Sequence, residues 1–236
     1  MKREERHQFH GRELSGLPKN ELQALAIGRR LAYTSCIGEL GYQDWVEGEK
    51  AILRSIGHTF YARSEYVKES SWAIYTTEFM DSLGKMLKGR RVLEVAAGRG
   101  ILKRHMQDRG VDWVTTDKCP PPRLDPYRHP HVITRSASRA IRRFPHDVLF
   151  VSWWPYDDPE DVALGEHLVK TDTPMVVVTE GPHGCVGSES FWSDERWDMH
   201  WKLPSGFSNV PQWDGIHDQT AIILRDGAKV EDYGLC

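Results

Sequence analysis

The chain has 236 residues, enough for one substantial α/β domain with an appendage and too few to require two independent cores. A hydrophobic share of 39% beside 28% charged residues supports a buried core and excludes a disordered or fibrous chain. With 31 basic and 34 acidic side chains the net charge is -3, which excludes a global positive field of the kind that gathers nucleic acid. No apolar run approaches the roughly 20 residues that span a bilayer, and the start MKREERHQFHGREL lacks an apolar signal segment, so no membrane segment is expected and a cytoplasmic location is the default. Cys36, Cys119, Cys185 and Cys236 lie far apart without metal-ligand spacing, and are expected as free thiols.

Residues 1–88 carry helical periodicity broken by glycines and are expected to form a helical extension or lid. One helix is expected from Pro18–Glu21 onward with Leu22, Leu25, Ala26 and Ile27 on its apolar face, and another near Asp44 with Trp45, Val46, Ala51, Ile52 and Leu53. A third is expected over Ser70–Leu87. Residues 89–236 then alternate short apolar runs with helix-like stretches, the pattern of βαβ units. The expected strands are Val92–Val95, Trp113–Thr116, His131–Thr134, Val148–Trp153, Met175–Thr179 and Thr220–Leu224; Ile101–Arg109, Ser136–Phe144 and Pro159–Val169 are the covering helices. The fold class is therefore α/β, a doubly wound and mostly parallel sheet with an N-terminal helical extension. A ligand crevice is expected where the strand order reverses. Gly181–Trp213, rich in Gly, Ser, Trp and His, is expected as a long irregular insertion beside that crevice.

The strongest local signal is Arg91-Val-Leu-Glu-Val-Ala-Ala-Gly-Arg-Gly-Ile-Leu102, an apolar strand running into a tight small-residue loop that opens a helix. Glu94-x-Ala96-x-Gly98-x-Gly100 resembles the acid-x-Gly-x-Gly-x-Gly signature of class I (Rossmann-like) S-adenosylmethionine-dependent methyltransferases, with alanine in the first glycine slot. A dinucleotide site is the rival, but the third glycine of G-x-G-x-x-G would fall at Lys103 or Ile101. Glu94 would also oppose a phosphate while favouring the ammonium of a methionine moiety. The resemblance implies S-adenosylmethionine as cofactor, with Glu94, Ala96, Gly98 and Gly100 along its methionine part. It implies Asp117, followed by Lys118, at the ribose, and Arg135, Ser136 and Ala137 beside adenine; Ser136 equally suits a helix cap.

The fourth strand end, Ser152-Trp153-Trp154-Pro155-Tyr156, looks like the family's acceptor motif, an Asp, Asn or Ser followed by Pro-Pro and an aromatic. The resemblance then gives Ser152 a place beside both cofactor and acceptor, and Trp153, Pro155 and Tyr156 a role in acceptor geometry. The register is imperfect, because alignment on Pro155 and Tyr156 puts Trp153 in the polar slot, while alignment on Ser152 puts two tryptophans in the proline slots. Glu180 and His183, on the glycine-rich loop after the fifth strand, are candidates for substrate contact or general base. Tyr61, Tyr66 and Trp72, ahead of the glycine motif, are candidates to close over the cofactor or to serve as core. His183, Cys185, His200 and His217 form no tight metal-ligand pattern, so no metal is expected.

The resulting expectation is a methyltransferase, favouring N-methylation of a planar or amine-bearing acceptor. A nucleic-acid or protein methyltransferase and an inactive binding module of the same fold stand as alternatives, and the acceptor is open between a small molecule and nucleic acid.

Overall fold

The apolar runs of the second half become strands of one seven-stranded sheet in the computed structural model, which describes residues 17–235. The charged N-terminal stretch read above, up to residue 16, and Cys236 lie outside the described residues. In chain order the strands are β1 (Arg91–Val95), β2 (Asp112–Asp117), β3 (Ile133–Thr134), β4 (Val148–Ser152), β5 (Met175–Thr179), β6 (Trp197–His200) and β7 (Gln219–Arg225). They lie side by side as β3-β2-β1-β4-β5-β7-β6. All pairs up to β5 are parallel, whereas β7 runs antiparallel to both β5 and β6. β5, Met-Val-Val-Val-Thr, is buried at every position, as a strand covered on both faces must be.

Helices cover both faces. α4 (Thr77–Leu87) and α5 (Ile101–Asp108) pack on one face through Phe79, Met80, Leu83, Leu102 and Met106 against Val92, Trp113 and Phe150. α6 (Ala137–Arg143), α7 (Glu160–Thr171) and the short α8 (Glu189–Trp192) cover the other through Ala140, Leu164, Leu168 and Phe191 against Leu93, Leu149 and Val177. Val92 and Leu93 thus serve opposite cores, the two-residue period of a strand made visible. The order reverses between β1 and β4, so their carboxyl ends flank a switch point, and the start of antiparallel β7 reaches the same edge.

α1 (Lys19–Cys36), α2 (Tyr42–Ile56) and α3 (Phe60–Glu69) form a separate core of Leu31, Trp45, Ile52, Ala62 and Tyr66. The helix expected over Ser70–Leu87 is shorter than that. Only Thr77–Leu87 is helical, because Ser71 Oγ donates to the Ala73 carbonyl at 2.6 Å and Thr76 Oγ1 caps the Phe79 amide at 3.3 Å. Such local side-chain bonds stop a helix more firmly than periodicity extends it. Although α4 falls within residues 1–88, it belongs to the sheet's core. Gly181–Trp213 is also less irregular than its composition suggests, since it contains α8 and the edge strand β6, both only 4 residues long.

Trp213, from that same segment, crosses to the helical unit. It is 1% exposed and meets Trp45 edge-on at 4.3 Å between centroids and Tyr66 at 5.6 Å. Trp213→Ala should therefore cost about 3–5 kcal/mol, within the range for a large aromatic removed from a core. Amide exchange should quicken first in α1–α3; uniform loss across the sheet and helices alike would contradict this linking role.

Candidate active site

After β1 the backbone turns through three left-handed residues, Ala96 (φ 53), Gly98 (φ 54) and Gly100 (φ 67), the last of which opens α5. At Gly100 a side chain has no room, because a Cβ would lie 2.5 Å from Val132 Cγ2 and 2.9 Å from Thr115 Cγ2. At Gly98 a Cβ would meet nothing within 4 Å, so that face of the loop is open. Ala96 holds a torsion that disfavours any residue with a Cβ by roughly 1–2 kcal/mol.

The loop is fixed from two sides. Asp117, at the end of β2, accepts the Gly98 amide at 2.8 Å through Oδ2 and the Cys119 amide at 2.7 Å through Oδ1. Arg99 reaches the other way, to Asp125 at 3.1 Å and to the carbonyls of Ser70 (3.1 Å) and Lys68 (2.5 Å). Glu94 is 3% exposed and accepts from Trp113 Nε1 at 2.7 Å and Thr115 Oγ1 at 3.1 Å. Burial pushes its carboxyl up to about 7 despite those two donors. Lys118 pairs with Asp158, so the loops after β2 and β4 are joined by an ion pair. Ser136 begins α6 without a side-chain cap bond, and the Ala137 amide donates to Glu160 at 3.0 Å.

At the end of β4 the pattern of satisfied groups breaks. Trp153 takes φ 55, a conformation costly for a bulky residue, while its amide still pairs with Val178 at 3.0 Å. Its ring stacks on Trp72, with centroids 5.4 Å apart and planes 22° apart. The Arg63 guanidinium lies 5.4 Å from the Trp72 ring and 5.6 Å from that of Trp153. Beside them sits Asp218, the residue before β7, which is 0% exposed. Trp153 Nε1 lies beside the Asp218 carboxylate and Ser152 Oγ beside the Tyr75 hydroxyl, but neither pair reaches hydrogen-bond geometry, and both Asp218 oxygens and Arg63 Nε are buried without a bonded partner. Burial pushes Asp218 up to about 7; the Trp153 indole opposes this, Glu180 adds to it, and Arg63 opposes it. Burial in turn pulls Arg63 below the usual guanidinium range, partly offset by Asp218 and Glu180. Tyr75, 4% exposed, is raised by burial and by the nearby Glu94.

The candidates from the sequence therefore separate by position. Ser152, Trp153 and Trp72 meet at the strand edge, and Glu180 joins them electrostatically while accepting the His217 (3.3 Å) and Cys185 (3.2 Å) amides. Pro155, Tyr156 and His183 are exposed on the loops leaving that edge, Tyr156 at 62%. Tyr66 lies in the helical core, donating to Ser35 Oγ at 2.8 Å, and Tyr61 packs beside His58. Sequence reasoning missed Arg63 and Asp218 as site residues. A signal existed for Asp218: an antiparallel last strand begins at the edge where the parallel strands end. Among the described residues no cluster of three or more His, Cys, Asp or Glu is placed to hold a metal, and no helix is long and apolar enough to cross a membrane.

The strand order and the glycine turn after β1 are those of a doubly wound α/β sheet with its switch point between β1 and β4. No protein-family model matches the chain, and no curated sequence does. Among solved structures, a point mutant of MtNAS in complex with S-adenosylmethionine is similar at 14% identity and a TM-score of 0.42, over 88% of this chain and 75% of that one. Human N-acetylserotonin methyltransferase in complex with SAM is similar at 11% identity and 0.38, over 87% and 66%. A SAM-dependent methyltransferase from Archaeoglobus fulgidus is similar at 13% and 0.36, over 60% and 88%. At such values the chemistry must be argued from this chain's own residues.

The unpaired carboxyl of Asp218 has a consequence for stability. Its folded value of about 7 lies above the ordinary 3.8, so between those limits the unfolded chain releases the proton first and folding loses stability as pH rises. Asp218→Asn should be more stable than wild type at pH above about 7, by on the order of 2–4 kcal/mol, and the gain should vanish toward pH about 4. Urea unfolding at both ends of that window measures this; an equal difference at both would refute a raised Asp218.

Proposed function

We propose that this chain is an S-adenosylmethionine-dependent methyltransferase. The observation that carries this reading is the open face above Gly98, at the switch point of the sheet, with the Gly98 amide held by the Asp117 carboxylate. An open left-handed turn next to an acid at the following strand's end fits a methionine chain laid on the backbone and a ribose hydrogen-bonded to the acid. Each Asp117 oxygen accepts one amide and has a further lone pair for a hydroxyl. Under this reading Ala96, Gly98 and Gly100 shape the floor, Glu94 stands behind it, Asp117 and Lys118 border the ribose, and Ser136 and Ala137 border adenine. When bound, the cofactor supplies an electrophilic methyl group on a sulfonium centre.

The chain's own task is then to hold an acceptor in line, because the leaving group is neutral and alignment dominates the barrier. Ser152 and Trp153 are proposed to face the acceptor, with Glu180 beside it and Pro155, Tyr156 and His183 at the entrance. A hydroxyl and an indole face suit a planar or amine-bearing acceptor, hence N-methylation. Incubation with methyl-labelled cofactor and separate pools of nucleic acid, protein and small metabolites identifies the acceptor. Label in none of them would favour a binding module.

Gly98→Leu tests the floor. Its backbone strain is roughly 1–2 kcal/mol, so the variant should fold, yet calorimetry should find cofactor binding abolished; undiminished affinity would remove the glycine loop from the site. Asp117→Ala should weaken S-adenosylmethionine and its demethylated product alike, by on the order of 2–4 kcal/mol, since the ribose is common to both. A loss confined to turnover would contradict the ribose role.

A further inference from the structure

Buried polar groups in folded proteins are nearly always paired, and the edge formed by β4, β5 and β7 departs from that rule in one place. Asp218 is not misplaced by a loose loop. Its carbonyl accepts from Gln212 Nε2 at 2.9 Å, and two residues on, the Thr220 amide and hydroxyl both donate to Asn209 Oδ1 at 2.8 Å. The start of β7 is therefore held, and the Asp218 carboxylate is buried within it beside the Trp153 indole, with neither oxygen in hydrogen-bond geometry. Arg63 is near enough to feel its charge but makes no ion pair with it. The surroundings also offer the unpaired N–H groups of Arg63 Nε and Trp153 Nε1 and the stacked rings of Trp153 and Trp72.

These groups specify a ligand by what each lacks. Two free carboxylate oxygens call for two adjacent donors, the arrangement in which a carboxylate binds most strongly. Arg63 Nε calls for an acceptor atom, the Trp153 N–H lies toward Asp218 itself, and the indole faces call for a flat ring. An uncharged ligand meets neither the Arg63 guanidinium nor the Asp218 and Glu180 carboxylates as a like charge. We propose that Asp218 and Arg63 are the polar anchors of the acceptor subsite, and that the acceptor is a neutral planar heteroaromatic whose edge places adjacent N–H donors on Asp218 and a ring carbonyl toward Arg63. That it is methylated rests on the methyltransferase reading; that it binds does not.

Pterin carries this edge, and lumazine is the same ring system with the exocyclic amine replaced by a carbonyl. Both fluoresce, so binding to the full chain at pH about 7 is read from the anisotropy of each, without cofactor. Pterin should bind the wild type about tenfold more tightly than lumazine, the size expected for one unmatched donor at a buried carboxylate. In Asp218→Asn the preference should disappear, because the amide offers a donor where the carboxylate offered an acceptor. Arg63→Met should weaken both probes about equally, since both keep the carbonyl. Cooperative unfolding establishes that each variant is folded, and the comparison of the two probes on wild type needs no variant. Equal binding of both probes, no pterin binding at millimolar concentration, or an unchanged preference in folded Asp218→Asn would overturn the proposal. Calorimetry with S-adenosylmethionine runs in parallel: its failure to bind would end the methyltransferase reading, while the expected pterin preference would leave this subsite standing.

Discussion

The carboxylate of Asp117 sets the frame on which the rest of the crevice is built. By accepting the Gly98 and Cys119 amides it ties the turn after β1 to the end of β2, and it does so through charge-assisted bonds, each stronger than a neutral one. The turn must pass through left-handed torsions at Ala96, Gly98 and Gly100, and without an external acceptor the Gly98 amide would lose its place. Once the turn is fixed, Gly100 starts α5 under Val132, and Arg99 is aimed away from the sheet. Its bonds to Asp125 and to the Ser70 and Lys68 carbonyls then carry the frame outward to the end of α3. One strand-end acid thereby organises the glycine turn, the helix after it and the docking of the helical extension.

The opposite half of the crevice is built on a different logic. Around β1 and β2 the buried Glu94 carboxyl and the Gly98 amide find partners close by, but at the ends of β4 and β5 the chain keeps a strained Trp153 and several unpaired buried groups together. Stability alone would select against each of these, since a polar group buried without a partner costs about 1–3 kcal/mol. Where several such violations share one location, a ligand that satisfies them jointly is the economical physical account. The strain at Trp153 fits this, because the left-handed turn is what sets its ring beside Trp72 and Arg63 instead of leaving it in the register of β4.

How much of this was legible in the sequence follows from how local each cause is. The glycine turn, β1, β2 and the parallel sheet could be read because small residues, strand runs and their spacing act within a few residues of each other. The ends of the Ser70–Leu87 helix were misjudged because Ser71 and Thr76 bond to nearby backbone groups in ways that periodicity does not register. β6 was not read because Trp-Asp-Met-His alternates over only 4 residues, too short a run to mark a strand, and Trp197 is buried by packing on elements far away in sequence. Arg63, Trp72, Trp153 and Asp218 come from four separate segments, and no pattern within any one of them announces their meeting. Tyr66 and Trp72, six residues apart, looked equivalent in the sequence; the break after Glu69 sends the first into the helical core and the second to the strand edge.

Glu94 and Asp218 make the functional distinction sharpest. Both carboxyls are buried, and burial raises both to about 7, so neither exposure nor proton affinity separates them. Their partners do. Glu94 is bracketed by the Trp113 indole and the Thr115 hydroxyl of β2, which pin it whether or not a ligand is present and make it a brace between adjacent strands. Asp218 has only the Trp153 indole beside it, outside hydrogen-bond geometry, so its carboxyl retains hydrogen-bonding capacity at the edge where the parallel strands end. An acid already satisfied by the fold can tune a site through its charge, but an acid the fold leaves unsatisfied is available to recognise something the fold does not contain.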